Sequence, residues 1–252
     1  MESNRTLKFI SNISKNKPNS ITNKSTICPF CDKNNLTDII DIKGQFIFVK
    51  NKYNTLEDTL QTVLIESDNC DSNISLYTKE HMRSLINFGV KKWMNMDKTG
   101  EFKSVIFYKN HGIYSGGSIK HPHMQIIGLK YIDYTEYLRD EFFEGITIEK
   151  GDSWLINIST KPKANFTEFN IIIDNISNLN IMADNIQIIV RYILNDFQPK
   201  CNSFNIFFYN WKNKILCKIT PRFITSPLFI GFSISQVSDQ INRIVNEVQR
   251  LY

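Results

Sequence analysis

Two histidines separated by one residue are the part of this chain that is best suited to chemistry. His121 and His123 are followed by Gln125, and a Gly116-Gly117-Ser118 turn comes shortly before them. Apolar residues continue beyond this motif, which predicts a strand with these three side chains on one face. A glycine-rich turn can approach a phosphate closely. The combination predicts a site for phosphoryl transfer through a nucleophilic histidine.

A second group of residues has the spacing of a metal site. Cys28 and Cys31 form a Cys-x-x-Cys pair, and two thiolates on one tight turn can bind the same ion. Two more ligands are required, and Cys70, which follows a predicted strand, and His121 are the candidates. The ion would hold the histidine strand in place and so orient His123. A redox-active pair is the alternative for Cys-x-x-Cys, and a buried free thiol is the alternative for Cys70.

The other histidines and cysteines carry weaker signals. His111 lies near the glycine turn, where it could contact a ligand or simply face solvent. His81 falls at the start of a predicted helix, and we interpret it as structural. Cys201 and Cys217 lie in the second half of the chain, and we interpret both as packing residues.

Composition limits the classes of protein to which this chain can belong. The 252 residues are 42% hydrophobic, enough for one large domain or two small ones. The formal net charge is +5, but basic and acidic residues are interspersed, so we expect no nucleic-acid partner. No stretch approaches 18 apolar residues, and the first residues lack the apolar core of a signal peptide, so we expect no membrane association. Five cysteines, an odd number, favour a reduced cytoplasmic protein with a metal site.

The pattern of elements predicts two similar halves. Residues 1–27 are rich in Asn, Lys and Ser and are expected to be extended and loosely held. A first half at 28–150 and a second half at 151–252 each show strands, a helix and further strands, which indicates an internal duplication. Strands are predicted at residues 46–49, 63–66, 102–108, 153–159, 167–173, 203–209 and 214–220. Helices are predicted from Thr78 to about Met96, at 133–143, at about 179–196 and from Ser233 onward.

These motifs resemble those of the galactose-1-phosphate uridylyltransferase branch of the histidine-triad (HIT-like) superfamily, over residues 28–130 and more weakly over 203–240. The signature is Asn-x-Gly, Gly-x-Ser and His-Pro-His-x-Gln, with an earlier Cys-x-x-Cys. The matching residues are Asn110, Gly112, Gly116, Ser118, His121, His123 and Gln125, together with Cys28, Cys31, Cys70 and the segment Asn51-Lys52-Tyr53. Within this branch the chain is most similar to bacterial proteins of the DUF4931 type. The resemblance implies an α+β fold of two tandem HIT-like halves, with antiparallel sheets flanked by helices.

The resemblance also implies a role for each residue of the phosphate site. His123 would be the nucleophile and would form a nucleotidyl-histidine intermediate. Gln125 would hold the phosphoryl oxygens, and an amide in this place favours transfer over rapid hydrolysis because it cannot act as a general acid or base. The turn formed by Gly116, Gly117 and Ser118 would donate hydrogen bonds to the phosphate.

The remaining roles concern the nucleoside and the metal. Asn51 would lie near the nucleoside and Asn110 near the phosphate. Zinc would be the metal, in a closed structural site. Its implied ligands are Cys28, Cys31, Cys70 and His121. In the relatives the third ligand is most often histidine, so Cys70 is a departure that still makes a good zinc site.

A second departure concerns the acceptor. The family grips its hexose with a segment of the type Lys-Phe-x-Val-Gly-Tyr-Glu, but residues 227–233 of this chain lack that Lys and Glu. We therefore predict a zinc-containing nucleotidyltransferase that moves a nucleoside monophosphate from a nucleotide or nucleotide-sugar donor to a phosphorylated small molecule other than galactose 1-phosphate. The alternatives are a phosphorylase or hydrolase of dinucleoside polyphosphates or nucleotide sugars, and a catalytically idle nucleotide-binding protein. The resemblance further predicts a homodimer.

Overall fold

Ten strands form one antiparallel sheet in the computed structural model, which describes residues 6–23, 25–164 and 166–252. The strands are β1 (Ile39–Lys43), β2 (Phe46–Lys50), β3 (Thr59–Ile65), β4 (Ser104–His111), β5 (His123–Leu129), β6 (Gly145–Gly151), β7 (Trp154–Ser159), β8 (Phe169–Ile173), β9 (Phe204–Trp211) and β10 (Lys214–Pro221). Their spatial order is β1-β2-β3-β5-β4-β9-β10-β8-β7-β6. The order of the second five strands mirrors that of the first five, which agrees with the predicted duplication.

The two halves join where β4 pairs with β9. Phe107 lies opposite Phe208 in this register and Asn110 lies opposite Asn205. The rings of Phe107 and Phe208 stack with their centroids 4.3 Å apart, so the core is continuous across the junction. The structure therefore places one edge of the second half directly beside the strand that leads into the glycine turn.

Five helices complete the described part of the chain, and the two longest pack side by side on one face of the sheet. They are α1 (Ser11–Lys15), α2 (Lys79–Asp97), α3 (Leu179–Asn195), α4 (Pro227–Phe232) and α5 (Ile241–Gln249). α2 begins where predicted, because the Thr78 hydroxyl accepts a hydrogen bond from the His81 amide. Within the described residues, no helix is both long and apolar enough to cross a membrane.

Alternation along β5 decides which face carries the chemistry. Met124 and Ile126 join the core beneath the helices, while His123 and Gln125 point to the opposite face. On that face Val63 belongs to a smaller apolar cluster, against which residues of the 28–37 loop pack. The open face of the first half therefore holds the candidate site, and the helical face holds most of the core.

Two helix predictions are wrong. Residues 133–143 form two separate 3₁₀ turns, because extended backbone between them turns Leu138 into an apolar cluster with Phe143. The last helix begins at Ile241, not at Ser233. Ser233 has a left-handed conformation (φ 55°) that ends α4, and the Ile234 amide bonds back to the Leu228 carbonyl.

The N-terminal segment is held more firmly than its composition suggests. The Ile10 amide donates to the Thr55 carbonyl (2.8 Å), and the Ile21 amide donates to the Ser118 carbonyl (3.2 Å). Residues 6–23 therefore pack along the first half and reach the glycine turn, while residues 1–5 and 24 lie outside the described residues.

The predicted division after residue 150 falls within β6. Because β6 pairs with β7 and not with a strand of the first half, we propose that the second half begins before residue 145.

Candidate active site and metal centre

His123 has one ring nitrogen fixed by the backbone and the other free to react. Its Nδ1 lies 2.7 Å from the carbonyl oxygen of His121. A carbonyl oxygen only accepts, so Nδ1 must carry the proton and donate it. The Nε2 atom then holds the lone pair. This is the tautomer that a histidine nucleophile requires, and it is set by the chain's own backbone.

Burial keeps this imidazole neutral. The ring of His123 is buried, and its centroid lies 5.3 Å from that of Phe30. Desolvation, assisted by the positive charges of Lys109 and Lys17, lowers the pKa of His123 to about 3 despite the hydrogen bond to His121. The His123 ring is therefore neutral throughout the physiological range.

A buried ion pair contacts the backbone of His123. Lys109 and Glu66 are paired with almost no exposure of either side chain (1% and 0%). The Lys109 ammonium also donates to the His123 carbonyl oxygen (3.3 Å), and Tyr77 donates its hydroxyl to the second Glu66 oxygen (3.1 Å). Removing one member would leave an unpaired charge in the core, so the group acts as one unit.

A cavity of about 260 Å³ opens in front of His123. It collects most of the residues predicted for the phosphate and the nucleoside: Asn51, Gly116, Gly117, Ser118, His123 and Gln125. Its apolar wall includes Phe30, Leu36 and Val63. The cavity therefore has an apolar side that suits a flat base and a polar end at the glycine turn.

The glycine turn lines one end of this cavity. Gly116 has φ +82°, a conformation that side-chain-bearing residues rarely adopt. The Ser118 hydroxyl is buried, and no described residue hydrogen-bonds with it. A buried hydroxyl without a partner is costly unless a ligand or water satisfies it, so Ser118 fits an oxygen-rich ligand at this end of the cavity.

Sequence reasoning missed Lys17. This half-buried lysine lines the cavity, and burial lowers its pKa. Its charge is close enough to His123 to lower the pKa of that ring as well. The signal in the sequence was weak, because Lys17 lies among other polar residues in a segment predicted to be loose.

Asn110 does not line this cavity. Its side-chain oxygen accepts from Asn205 of the second half (2.7 Å), and it borders a neighbouring cavity of about 570 Å³. The expectation that Asn110 lies near the phosphate remains a prediction. In the structure Asn110 lies under the turn that lines the cavity, with its Cβ 3.2 Å from where a Cβ on Gly117 would stand.

The predicted metal ligands come together at the edge of the same site. The ligand atoms of Cys28, Cys31, Cys70 and His121 all lie within 4.8 Å of one another. The sulfurs of Cys28 and Cys31 are each 3.5 Å from His121 Nδ1. Tetrahedral zinc with these ligand types separates its ligand atoms by about 3.5–3.8 Å, so the group fits zinc.

The imidazole of His121 is oriented for metal binding. Its Nε2 lies 2.8 Å from the Ser67 carbonyl oxygen, so Nε2 carries the proton and Nδ1 offers its lone pair to the cysteines. Burial raises the pKa of the Cys28 thiol, but the contact with the His121 ring and the backbone amides of Phe30 and Cys31 outweigh burial and lower that pKa to about 6. Burial and the neighbouring cysteines raise the pKa of Cys70 to about 12. A cation would relieve this repulsion by binding all three sulfurs as thiolates.

His111 and His81 lie outside the cavity. The His111 ring stacks on Phe204 with centroids 4.7 Å apart. The His81 Nε2 contacts the Glu66 carbonyl oxygen (2.9 Å), as a structural histidine would. Cys201 and Cys217 are both buried, as packing residues would be.

We expect the protein to lose stability in acid partly through His111. Burial, assisted by the charge of Lys109, lowers the pKa of His111 from 6.5 to about 4. Between these pH values the unfolded chain binds a proton that the folded chain does not, so the free energy of unfolding falls as the pH decreases. Urea unfolding midpoints between pH 7 and 4.5 should fall less steeply for His111→Asn than for the native chain. Equal slopes would show that His111 does not contribute.

Comparison with known proteins identifies the family. The family model described as domain of unknown function (DUF4931) N-terminal domain matches residues 9–132, and the corresponding C-terminal domain model matches residues 135–252. The chain belongs to the DUF4931 family. A DUF4931 protein from Bacillus cereus ATCC 10987 has a solved structure that is 50% identical, with a TM-score of 0.79 over 85% of this chain and 99% of that one. The search of curated proteins gave no match.

More distant structures share the fold of this DUF4931 protein. A uridylyltransferase is 12% identical, with a TM-score of 0.71 over 89% of this chain and 91% of that one. An ADP-glucose phosphorylase from Arabidopsis thaliana, solved with bound ADP-glucose, is 14% identical, with a TM-score of 0.71 over 94% of this chain and 92% of that one. The predicted α+β fold of two HIT-like halves is confirmed, and the resemblance to the galactose-1-phosphate uridylyltransferase branch is confirmed as a likeness of fold.

Proposed function

We propose that this DUF4931 protein transfers a nucleoside monophosphate through a covalent bond to His123. The observation that carries the proposal is the free Nε2 of His123, directed by its Nδ1 hydrogen bond and exposed to a cavity that ends at the glycine turn. A buried, neutral and oriented imidazole beside phosphate donors is the arrangement that nucleophilic catalysis at phosphorus requires.

The reaction has two displacements at the same phosphorus. His123 Nε2 attacks the α-phosphorus of the donor, a P–N bond forms, and the P–O bond to the leaving group breaks with its electron pair. The acceptor oxygen then attacks that phosphorus, and the P–N bond breaks to restore the imidazole. Ser118, Gln125 and Lys17 stabilise the charge on the phosphoryl oxygens in both steps.

Zinc has a structural part in this proposal. Cys28, Cys31, Cys70 and His121 would hold it, and the bound ion would cross-link the 28–31 turn to the start of β5. Because His121 supplies both a zinc ligand and the carbonyl that orients His123, the metal site fixes the nucleophile. The chemistry of the transfer belongs to His123 itself.

The donor is a nucleotide of a class that the structural neighbours also use. The apolar wall at Phe30, Leu36 and Val63 would pack against the base, and Asn51 would lie near the nucleoside. The names of the uridylyltransferase and of the ADP-glucose phosphorylase support a nucleotide or nucleotide-sugar donor.

A second candidate function is phosphorolysis, with inorganic phosphate as the acceptor. The segment that would grip a hexose contains α4, and Ile230 and Phe232 there are 72% and 74% exposed. An exposed apolar surface without the Lys and Glu of the relatives gives a sugar few polar contacts, whereas inorganic phosphate needs none of them.

The test of the proposed function is intact-protein mass spectrometry after incubation with UDP-sugars, ADP-sugars and diadenosine polyphosphates. An acid-labile mass increase of one nucleoside monophosphate would support the proposal and would name the base. Loss of that increase on addition of inorganic phosphate, with a nucleoside diphosphate as product, would favour phosphorolysis. Tight nucleotide binding without any adduct would favour the idle binding protein.

Lys17 should matter for the phosphate and not for the base. We expect Lys17→Ala to weaken binding of a nucleoside monophosphate by about 10–100-fold, the usual effect of losing a charge-assisted hydrogen bond. Lys15→Ala is the matched control, because Lys15 lies two residues earlier and is exposed. Calorimetric titration checks this, and equal affinities for both variants would contradict the role of Lys17.

A further inference from the structure

We propose that Asn205, in the second half, is a positioning residue for the phosphate-binding turn of the first half. Asn205 is 1% exposed and does not line the candidate cavity. It acts through Asn110 and Ser115, which contact the backbone of the turn. The inference rests on the proposed function in one respect, that this turn binds the phosphate.

The amide of Asn205 donates to two parts of the turn. Its Nδ2 lies 2.7 Å from the Asn110 side-chain oxygen and 3.0 Å from the Ser115 carbonyl oxygen. An amide nitrogen has two hydrogens, and these two bonds are shorter than its third contact, with the Lys109 carbonyl oxygen (3.5 Å). Asn205 can reach both because it lies opposite Asn110 in the pairing of β4 with β9.

Both acceptors are connected to the residues that face the cavity. The Ser115 hydroxyl donates to the Gly112 carbonyl (2.7 Å) and accepts from the Gly117 amide (3.3 Å). Asn110 packs against Gly117, because its Cβ lies 3.2 Å from where a Cβ on Gly117 would stand. Moving Asn110 or Ser115 would therefore move the backbone N–H groups of the turn.

Arg222 sets the direction of the Asn205 amide. Its Nη1 donates to the Asn205 side-chain oxygen (2.8 Å), and its Nη2 donates to the Thr225 hydroxyl (3.3 Å). A guanidinium group only donates, so it holds the oxygen of Asn205 on its own side and leaves the nitrogen facing the turn. The orientation of Asn205 is thus fixed by chemistry, and not only by packing.

The contact with the second half leaves no room for a side chain at Gly112. Gly112 has φ +83°, and a Cβ there would lie 2.3 Å from the Ser203 hydroxyl and 2.4 Å from the Asn202 carbonyl oxygen. Ser203 also accepts from the Tyr114 amide (3.4 Å). The residues just before β9 and at its start therefore pack behind the turn, and Asn205 is the main hydrogen-bond donor among them.

The test compares binding of nucleotides, which carry the phosphate, with binding of nucleosides, which lack it. We would titrate the full-length chain with UMP, AMP, CMP and GMP and with the matching nucleosides. Asn205→Asp keeps an acceptor for Arg222 but cannot donate to Ser115, so the fold is retained while the turn loses its anchor. We expect Asn205→Asp to weaken nucleotide binding about tenfold and to change nucleoside binding less than twofold. Asn210→Ala, an exposed asparagine on the same strand, is the control and should change neither.

The outcomes distinguish this inference from the proposed function. Equal losses of nucleotide and nucleoside affinity, or no loss, would overturn the role of Asn205, as would a native chain that binds nucleotide and nucleoside equally well. The absence of a covalent adduct in the native chain would refute the proposed function alone, because the binding comparison does not depend on the adduct. The same titration with Asn205→Ala checks that the weaker nucleotide binding of Asn205→Asp does not come from the added negative charge.

Discussion

His123→Ala should abolish the nucleotidyl adduct and lower turnover by about ten-thousand-fold or more, as the loss of a covalent nucleophile does in other enzymes. The reason is that Nε2 of His123 is the only unprotonated ring nitrogen placed at the cavity among the described residues. Gln125, on the same strand face, carries an amide that cannot replace it as a nucleophile. The measurement is intact-protein mass spectrometry together with product formation from the donor that labels the native chain.

The control for this prediction is His111→Asn. His111 lies in the neighbouring cavity and stacks on Phe204, so its loss should leave the adduct in place. Zinc content and thermal midpoint should be measured for both variants, because the His123 ring packs against Phe30 and its removal opens a small space. If a folded His123→Ala protein still forms the adduct, the nucleophile is another residue and the proposal is wrong.

Loss of the metal should have the largest effect on stability. We expect one zinc per chain, and we expect Cys31→Ser or extraction by a chelator to lower the thermal midpoint by about 8–16 °C. This follows from about 4 kcal/mol of stabilisation at free zinc one thousand times the dissociation constant, with about 2–4 °C per kcal/mol for a chain of this size. Because His121 links the metal to His123, adduct formation should slow in parallel. Elemental analysis and scanning calorimetry provide the two measurements.

Cys201→Ala is the matched control for the metal prediction. Its thiol is buried and donates to the Ser203 carbonyl oxygen at 3.0 Å, away from the four ligands. This variant should keep its zinc and lose little stability. A native protein without zinc, or one whose midpoint does not change on chelation, would show that the cysteine cluster has another role.

The family, the paired halves and the residues of the metal site can be predicted from the sequence. His-Pro-His-x-Gln and Cys-x-x-Cys are local patterns, so the residue types and spacing are visible without any structure. Strand periodicity assigned His123 and Gln125 to the same face, and the structure agrees, because alternation along a strand is a local property of the backbone. The cap at Thr78 predicted the start of α2 for the same reason.

Local pattern failed where distant contacts decide the backbone. Residues 133–143 and the region after Ser233 have helical spacing of apolar residues, but Leu138 and Phe143 turn toward a cluster that includes Leu216 of β10. Burying those side chains requires a break in the helix, and nothing in the neighbouring sequence shows it. Ser233 adopts a left-handed conformation that ends α4. The apolar pattern had predicted that a helix begins at this residue.

By itself the sequence identified the candidate groups: a histidine predicted as nucleophile, a glycine turn and four residues with the types and spacing of metal ligands. The tertiary structure decided how they are directed. The tautomer of His123 depends on the His121 carbonyl, Lys17 lines the cavity as a half-buried cation, and the Ser115 carbonyl beside the turn accepts a hydrogen bond from Asn205 of the other half. These contacts join residues far apart in the chain or depend on backbone geometry. They arise from packing and register between strands, which spacing in a sequence does not record.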